Sequence, residues 1–151
     1  MEIRLDDIEN EYLRNLLIEH RNDMLKHSPP ESAHALEVGS IKQQNIAFWT
    51  AWKNEELLGC VALKKLSDDH AEIKSMKTKN EHLRKGVATK LLRYLLIEAR
   101  RLAYTRLSLE TGSMEVFNPA IQLYTSFGFI YCNPFSDYVE DPHSVFMTKK
   151  I

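Results

Sequence analysis

Residues 83–89, which read LRKGVAT, decide how this chain folds. They lie between an alternating polar and apolar segment at 71–78 (AEIKSMKT) and a long amphipathic segment at 86–103. Alternation with period two is typical of a strand, whereas apolar residues that recur every three to four positions indicate a helix. A second strand-like segment, RLSLE, follows at 106–110. A strand, a helix and a strand in this order predict a crossover between two parallel strands.

Three strands joined by short turns are predicted on the N-terminal side of this crossover. They cover residues 46–53, 57–66 and 71–78, and polar turns at 54–56 and 67–70 separate them. Strands joined by such short turns pair antiparallel. The sequence therefore predicts an antiparallel meander that ends in the first strand of the parallel pair.

The first part of the chain predicts a short strand at 2–5 followed by helices at 9–26 and 36–44. The tandem prolines Pro29 and Pro30 must end the first helix, because proline lacks the N–H that would continue it. The apolar side of that helix is predicted to consist of Tyr12, Leu13, Leu16, Leu17 and Leu25.

The C-terminal part predicts a helix at 115–127 that ends at Gly128, followed by paired strands at 128–133 and 144–149 around a polar loop. The complete order is β-α-α-β-β-β-α-β-α-β-β. It describes a mixed, mostly antiparallel sheet flanked by helices, and therefore an α/β class. A chain of this length forms a single domain, here residues 1–151.

The composition limits the kinds of partner. The chain has a formal net charge of −1 and a pI of about 6.6, so it lacks the basic excess that sequence-independent nucleic-acid binding requires. The N-terminus is charged, which predicts no signal peptide, and Arg93 interrupts the longest apolar stretch, at 91–97. We therefore expect a cytoplasmic protein that binds neither nucleic acid nor a membrane.

Cysteine and histidine show no metal-binding pattern. Cys60 and Cys132 lie in apolar runs without a CxxC spacing, and the six histidines form no HExxH motif. We expect two reduced structural thiols and no metal site.

Gly86 predicts a phosphate site at the start of the helix over 86–103. A helix N-terminus presents unpaired backbone N–H groups and a partial positive charge, and both attract phosphate oxygens. Glycine lets the backbone approach the anion, Ala88 keeps the next contact small, and Arg84 and Lys85 add positive charge. The alternative is that Gly86 only forms a turn before the helix.

The second informative stretch is residues 118–129, which read NPAIQLYTSFGF. With this stretch, the chain resembles the GNAT superfamily of acyl-CoA-dependent N-acetyltransferases. The resemblance lies in the order of a strand, an xxxGxA loop, an amphipathic helix, a strand and then N-x-A-x-x-L-Y-x-x-x-G-F. The predicted topology is similar to that fold along essentially the whole chain. One position departs from the usual Q/R-x-x-G-x-G/A pattern, because Leu83 stands at its first place. We expect this difference to weaken cofactor affinity and to leave the fold unchanged.

The resemblance implies that acetyl-CoA lies where the strands at 71–78 and 106–110 splay apart. The backbone around Met76 and Thr78 would pair with pantetheine, and an N–H near Met76 could polarise the thioester carbonyl. The Asn118 side chain would bind pantetheine, although an N-cap before Pro119 is the alternative. The pyrophosphate would be held by Arg84, Lys85, Gly86, Val87, Ala88 and Thr89.

The resemblance also implies two catalytic residues. Tyr124 aligns with the tyrosine that protonates the departing thiolate, and a buried core tyrosine is the alternative. Glu72 is the candidate base for the incoming amine, and a structural ion pair is the alternative. Period-two spacing would place Glu72, Lys74 and Met76 on one strand face, with Glu110 close enough to pair with Lys74.

The acceptor site is predicted to lie between the loop at 28–32 with His34 and the polar segment at 134–143. Acidic residues there would suit a cationic amine, whereas Lys74 would suit an acceptor with a carboxylate. The sequence thus predicts an N-acetyltransferase for an amine that it does not name. A non-catalytic acyl-CoA sensor of the same fold is the alternative, and a homodimer through the final strands is left open.

Overall fold

A computed structural model of the chain describes residues 1–35 and 45–151. The helix predicted at 36–44 lies outside the described residues. In the described part of the chain, the strands are β1 (Glu2–Asp6), β2 (Ile46–Lys53), β3 (Glu56–Lys65), β4 (His70–Thr78), β5 (Arg106–Gly112), β6 (Ile130–Tyr131) and β7 (Ser144–Lys150). The helices there are α1 (Glu11–His27), α2 (Val87–Arg101) and α3 (Asn118–Ser126), with short 3₁₀ turns at Pro30–Ser32, Asn80–His82 and Glu115–Phe117.

All of these strands form one sheet with the order β1-β2-β3-β4-β5-β7-β6. Strands β4 and β5 run parallel, and every other neighbouring pair in the described sheet is antiparallel. This arrangement confirms the predicted mixed α/β sheet. The parallel pairing stops at Ile73 and Leu109, although β4 continues to Thr78 and β5 to Gly112. The sheet is therefore split beyond this point.

The meander forms as predicted, because its turn residues adopt the conformations that a tight hairpin requires. Asn54 and Glu55, which join β2 to β3, have φ values of +50° and +67°. Positive φ at both central residues matches the twist of the flanking strands. The polar turn in the sequence therefore produces an antiparallel pair that extends over the whole of β2.

Strand β4 contains a bulge at the edge of the split. The register with β3 shifts between Cys60 and Ala62, which pair with Lys77 and Lys74. Ser75 has a φ of +56°, and it occupies the extra position that a bulge inserts into one strand. The bulge bends β4 where it parts from β5.

Helices cover both faces of the sheet. Helix α2 buries Leu91, Leu92, Leu95 and Ala99 in the larger core, and α1 buries Leu13, Leu16 and Leu17 against Phe48 and Trp52 on the opposite face. The prediction for α1 is wrong at Tyr12 and Leu25, which are 63% and 39% exposed. No helix in the described ranges has the length and apolar character that crossing a membrane requires.

The helix predicted at 115–127 is divided in two. Residues Glu115–Phe117 form a 3₁₀ turn, and α3 begins only at Asn118. Pro119 explains the break, because its ring has no N–H to donate and clashes with the carbonyl four residues earlier. At the other end, Gly128 has a φ of +90°, which confirms the predicted C-terminal glycine.

Candidate active site

A cleft of about 750 Å³ opens at the split in the sheet. Its walls come from the second half of α1, the end of β4, the first turn of α2 and the start of α3. Of the residues that the sequence predicted for the cofactor, the cleft is lined by Met76, Thr78, Arg84, Gly86, Val87, Ala88 and Thr89.

The first turn of α2 has the geometry of an anion cradle. Gly86 is the N-cap residue and has a φ of +82°, in the left-handed region. Only glycine adopts this region without strain. A Cβ added to Gly86 would meet no atom within 4 Å, so the space in front of the helix is open. Arg84, also at positive φ, lines the cleft beside it.

Two predicted cofactor residues do not line this cleft. Lys85 lines a neighbouring hollow, where its Nζ lies 3.5 Å from His82 Nδ1. Asn118 is exposed, and the adjacent Phe117 and Pro119 line the cleft instead. Asn118 is also not an N-cap, because it lies inside α3 and no side chain caps that helix.

Tyr124 places a phenol at the inner end of the cleft. The residue is buried, and its ring packs edge-on against Phe129 with centroids 5.7 Å apart. Among the described residues no hydrogen bond satisfies its hydroxyl group. Burial raises the pKa of Tyr124, so the hydroxyl keeps its proton at neutral pH. Tyr124 is therefore a core residue, as one of the two alternatives from the sequence stated. Its hydroxyl is nevertheless free to donate a hydrogen bond to a ligand in the cleft.

The wall formed by α1 is fixed by Lys77. Its Nζ donates to Asp23 Oδ2 over 2.9 Å and to Asn80 Oδ1 over 3.1 Å. These contacts join α1, β4 and the turn after β4. His20 stands on the same wall, and burial together with the Lys77 charge lowers its pKa to about 4. His20 is therefore neutral at physiological pH.

Phe117 closes the opposite side of the cleft and depends on Gly112. A Cβ on Gly112 would lie 2.1 Å from a carbon of the Phe117 ring. Phe117 also makes an edge contact with His27 of α1, with ring centroids 6.4 Å apart. Glycine at the end of β5 therefore lets this ring form part of the cleft wall.

We expect Gly112→Ala to destabilise the fold by about 1–3 kcal/mol, because overpacking forces the Phe117 ring to move. The displaced ring should also weaken binding of the acetyl-CoA that the sequence predicts for this cleft, since Phe117 lines it. Thermal unfolding and calorimetric titration measure the two effects. Adding Phe117→Leu to this variant should restore part of the stability, whereas an unchanged melting temperature and Kd in Gly112→Ala would contradict the packing described here.

A smaller polar cavity adjoins the cleft on the other side of the β4 bulge. His20 and Met24 line both spaces. Glu72 and Lys74 line the polar cavity, whereas Met76 lines the cleft. The bulge at Ser75 separates these residues, which simple alternation along β4 would have placed on one face.

Glu72 is held in a closed polar network. Tyr138 donates its hydroxyl to Glu72 Oε2 over 2.6 Å, and Lys74 Nζ lies 3.4 Å from the same oxygen. Lys74 also donates to the Tyr138 hydroxyl over 3.0 Å and to the His34 carbonyl over 3.4 Å. The ion pair predicted between Lys74 and Glu110 is not formed, because the Lys74 amine contacts Glu72 instead.

The two loops predicted to surround the acceptor do meet at this cavity. Ser32 donates its hydroxyl to Asp141, which joins the turn after α1 to the segment before β7. A second hollow shares Glu72, Lys74 and Tyr138 with this cavity, and it is also lined by Arg21, Glu31, His34, Lys64, Ser136, Asp137 and Asp141. Its lining is rich in charges of both signs.

The sequence analysis missed His20, Phe117 and the contact between Tyr138 and Glu72. His20 lies at a helix position that the apolar pattern of α1 does not distinguish, and Phe117 lies outside both quoted motifs. The only available signal was the glycine at position 112, since a glycine at a strand end indicates close approach of another group.

The site thus combines a split parallel strand pair, a helix that begins at a glycine beside the split, and a buried phenol, as the resemblance to N-acetyltransferases implied. A model of the acetyltransferase (GNAT) family matches residues 6–129. The chain belongs to this family, as its sequence motifs indicated.

Relatives support the assignment over the full length. The chain is 54% identical to YsnE, an uncharacterized N-acetyltransferase of Bacillus subtilis strain 168, over 151 residues and the whole of both chains. A Klebsiella pneumoniae structure described as an acyl-CoA N-acyltransferase has a TM-score of 0.80 at 25% identity, with 99% and 96% coverage. A Bacillus subtilis acetyltransferase in complex with CoA has the same fold, with a TM-score of 0.73 at 19% identity and coverage of 99% and 98%.

Proposed function

We propose that this protein transfers an acetyl group from acetyl-CoA to a primary amine of a small molecule or a protein. The observation that carries the proposal is that two neighbouring spaces share part of their lining. An open anion cradle lies on one side of the β4 bulge, and a cavity lined by two carboxylates lies on the other. A thioester bound at the split would face an amine bound in that cavity.

The chain's own groups would hold the donor. The pyrophosphate fits the open space before Gly86, where the α2 N–H groups and Arg84 attract anions. Pantetheine would extend along β4 from Thr78 to Met76, which has no strand partner at the bulge. A Bacillus subtilis acetyltransferase of the same fold is in complex with CoA, which supports CoA as the kind of ligand. When bound, acetyl-CoA supplies the activated acetyl group.

Transfer requires the amine to lose a proton before it attacks. A carboxylate of the polar cavity takes that proton, and the neutral nitrogen then forms a bond to the thioester carbon. The carbon–sulfur bond breaks as the carbonyl reforms, and the second nitrogen proton leaves as the thiolate is protonated. The products are an N-acetyl amine, free CoA thiol and one proton on the cavity carboxylate.

Tyr124 stabilises the departing sulfur in this scheme. Tyr124 lines the cleft, and its hydroxyl has a raised pKa, above the roughly 8.5 of a free thiol. The phenol therefore donates a hydrogen bond to the developing thiolate, and net transfer of its proton follows only as the nitrogen proton replaces it. Glu72 remains the sequence-based prediction for the base, although two carboxylates line the cavity.

A non-catalytic acyl-CoA sensor is the second candidate, and the observation in its favour is Leu83. This side chain lines the cleft where the family carries glutamine or arginine. Release of free thiol from acetyl-CoA, measured with and without a panel of primary amines, distinguishes the two. An enzyme releases thiol only when a suitable amine is present. A sensor binds acetyl-CoA in calorimetric titration and releases none.

We expect Leu83→Arg to lower the Kd for acetyl-CoA by roughly 2–5-fold, since one added charge at an exposed site contributes under about 1 kcal/mol. Leu83 is 54% exposed, so the substitution needs no repacking. High salt should abolish the gain. Leu102→Arg is the matched control, because Leu102 is an exposed leucine at the other end of α2. Equal gains in both variants would contradict a local role for position 83.

A further inference from the structure

Glu110 is a partly buried residue at the point where the sheet splits. It is the first residue of β5 beyond the last pair with β4, which joins Ile73 to Leu109. Its Oε2 is buried and makes no hydrogen bond of normal geometry to any residue that the structure describes. A buried acceptor without a donor destabilises a protein. This oxygen can therefore accept a hydrogen bond from a group that binds in the cavity.

Glu72, the other carboxylate of this cavity, is already engaged. Its Oε2 accepts from the Tyr138 hydroxyl over 2.6 Å and lies 3.4 Å from Lys74 Nζ. A base must accept a proton from the substrate, and these two donors already occupy one oxygen of the Glu72 carboxylate. The network holds Glu72 and Lys74 in place and leaves Glu110 as the unoccupied acceptor.

The location of Glu110 brings it beside the thioester. Glu110 lines the polar cavity together with His20 and Met24, and these two residues also line the donor cleft. A group bound to Glu110 thus lies next to the space that holds the acyl end of the donor.

We propose that Glu110 binds the ammonium group of the acceptor and accepts its proton, with Glu72 as a positioning residue that fixes Lys74 and Tyr138. This inference rests on the proposed acetyl transfer. In the ammonium form, an N–H of the substrate donates to Glu110 Oε2. That proton moves to the carboxylate, and the nitrogen lone pair attacks the acetyl carbon. The CoA thiolate leaves, and protonated Glu110 returns its proton to solvent before the next cycle.

The ionisation of Glu110 suits this task. Burial raises its pKa to about 7, while the neighbouring Ser144 hydroxyl and the Lys74 charge act in the opposite direction. A base with a pKa near the working pH is both ionised and an effective proton acceptor. Titratable and polar groups from several elements share its surroundings. Helix α1 contributes His20, β4 contributes Glu72 and Lys74, β7 contributes Ser144, and the loops contribute His34, Tyr138 and Asp141.

The test is the pH dependence of kcat/KM in wild type, Glu110→Gln and Glu72→Gln, with acetyl-CoA and the most active amine from a panel of primary amines. The wild type should lose activity below a midpoint near 7. Glu110→Gln should lower kcat/KM at its plateau by about 100-fold, the typical contribution of a general base, and should remove that acidic midpoint. Glu72→Gln should lower the plateau and keep the midpoint.

Each opposite result is informative. An unchanged midpoint in Glu110→Gln, or its loss only in Glu72→Gln, overturns the assignment and makes Glu72 the base. No thiol release by the wild type with any amine of the panel overturns the proposed function, and the assignment with it. Turnover that Glu110→Gln leaves intact overturns the assignment alone.

Thermal unfolding without substrates gives a second readout that needs no acceptor. Because folding raises the pKa of Glu110, its stabilising contribution is present at acidic pH and is lost as the pH rises through about 7. Glu110→Gln should therefore raise the melting temperature relative to wild type more at about pH 8 than at about pH 5. An equal difference at both pH values would contradict a raised pKa at this position.

Discussion

Gly86→Glu is expected to raise the Kd for acetyl-CoA by at least about 100-fold, because two or more charge-assisted hydrogen bonds worth roughly 1.5–3 kcal/mol each are lost. The carboxylate would occupy the open space in front of α2 that the pyrophosphate needs. The new carboxylate would interact favourably with the positive end of the helix, so the variant should fold. The same negative charge would repel the phosphate groups of acetyl-CoA. Calorimetric titration with acetyl-CoA measures the effect.

Two further variants separate charge from backbone strain. Gly86→Ala keeps the cradle neutral and strains the left-handed φ of +82°. Gly128→Ala strains a similar φ of +90° at the end of α3 and lies away from the cleft. We expect Gly86→Ala to bind more weakly than wild type and Gly128→Ala to bind normally at a reduced melting temperature. Normal acetyl-CoA binding by Gly86→Glu would show that the cradle does not hold the pyrophosphate.

Tyr124→Phe is expected to lower kcat by about 100-fold, in the range that one positioned proton donor contributes, with little change in the KM for acetyl-CoA. The hydroxyl makes no hydrogen bond within the described residues, and the ring packs in the core against Phe129. Removing one oxygen thus leaves the fold intact. The loss should fall on kcat because the thiolate develops only in the transition state.

Steady-state kinetics with saturating amine and varied acetyl-CoA measure this split. Tyr104→Phe is the matched control, because Tyr104 packs against the same core and does not line the cleft. It should leave both constants unchanged. An unaltered kcat in Tyr124→Phe would remove Tyr124 from the catalytic step and leave it as a core residue.

Much of the fold follows from local chemistry that the sequence displays. The strands alternate or carry β-branched residues, the turn at Asn54 and Glu55 is polar, and Gly86 supplies a conformation that other residues adopt only with strain. The helix at 86–103 is predicted almost to the residue because its apolar face is continuous. These features are each set by a few neighbouring residues.

The site could be predicted only in part, because its decisive features depend on residues far apart in the chain. The pattern AEIKSMKT alternates only as far as Lys74, since Ser75 is polar where an apolar residue would continue it. A break of one residue does not by itself predict that a bulge separates Met76 from Lys74. The partner of Lys74 depends on Tyr138, which lies sixty-four residues away. Glu110 looked like an ordinary charged strand residue until the end of the parallel pairing placed it in the cavity.

Two exposed residues on α1 also show that local patterns do not determine packing. Tyr12 and Leu25 fit the helical period, but the face of the sheet that α1 covers is narrower than the apolar stripe. The Tyr12 ring packs nearly perpendicular to the Trp52 ring, with centroids 6.0 Å apart, and stays largely exposed. Helical periodicity predicts a face, and the width of the partner surface decides how much of that face is buried.

The most direct test of the account is to measure both products of the proposed reaction in the same samples. Purified protein is incubated with acetyl-CoA and a panel of primary amines, free thiol is assayed, and N-acetylated amine is quantified by mass spectrometry. The account predicts equal amounts of thiol and amide, formed only when both substrates are present and strongly reduced in Gly86→Glu. Thiol without amide, or binding of acetyl-CoA without either product, would contradict acetyl transfer to an amine.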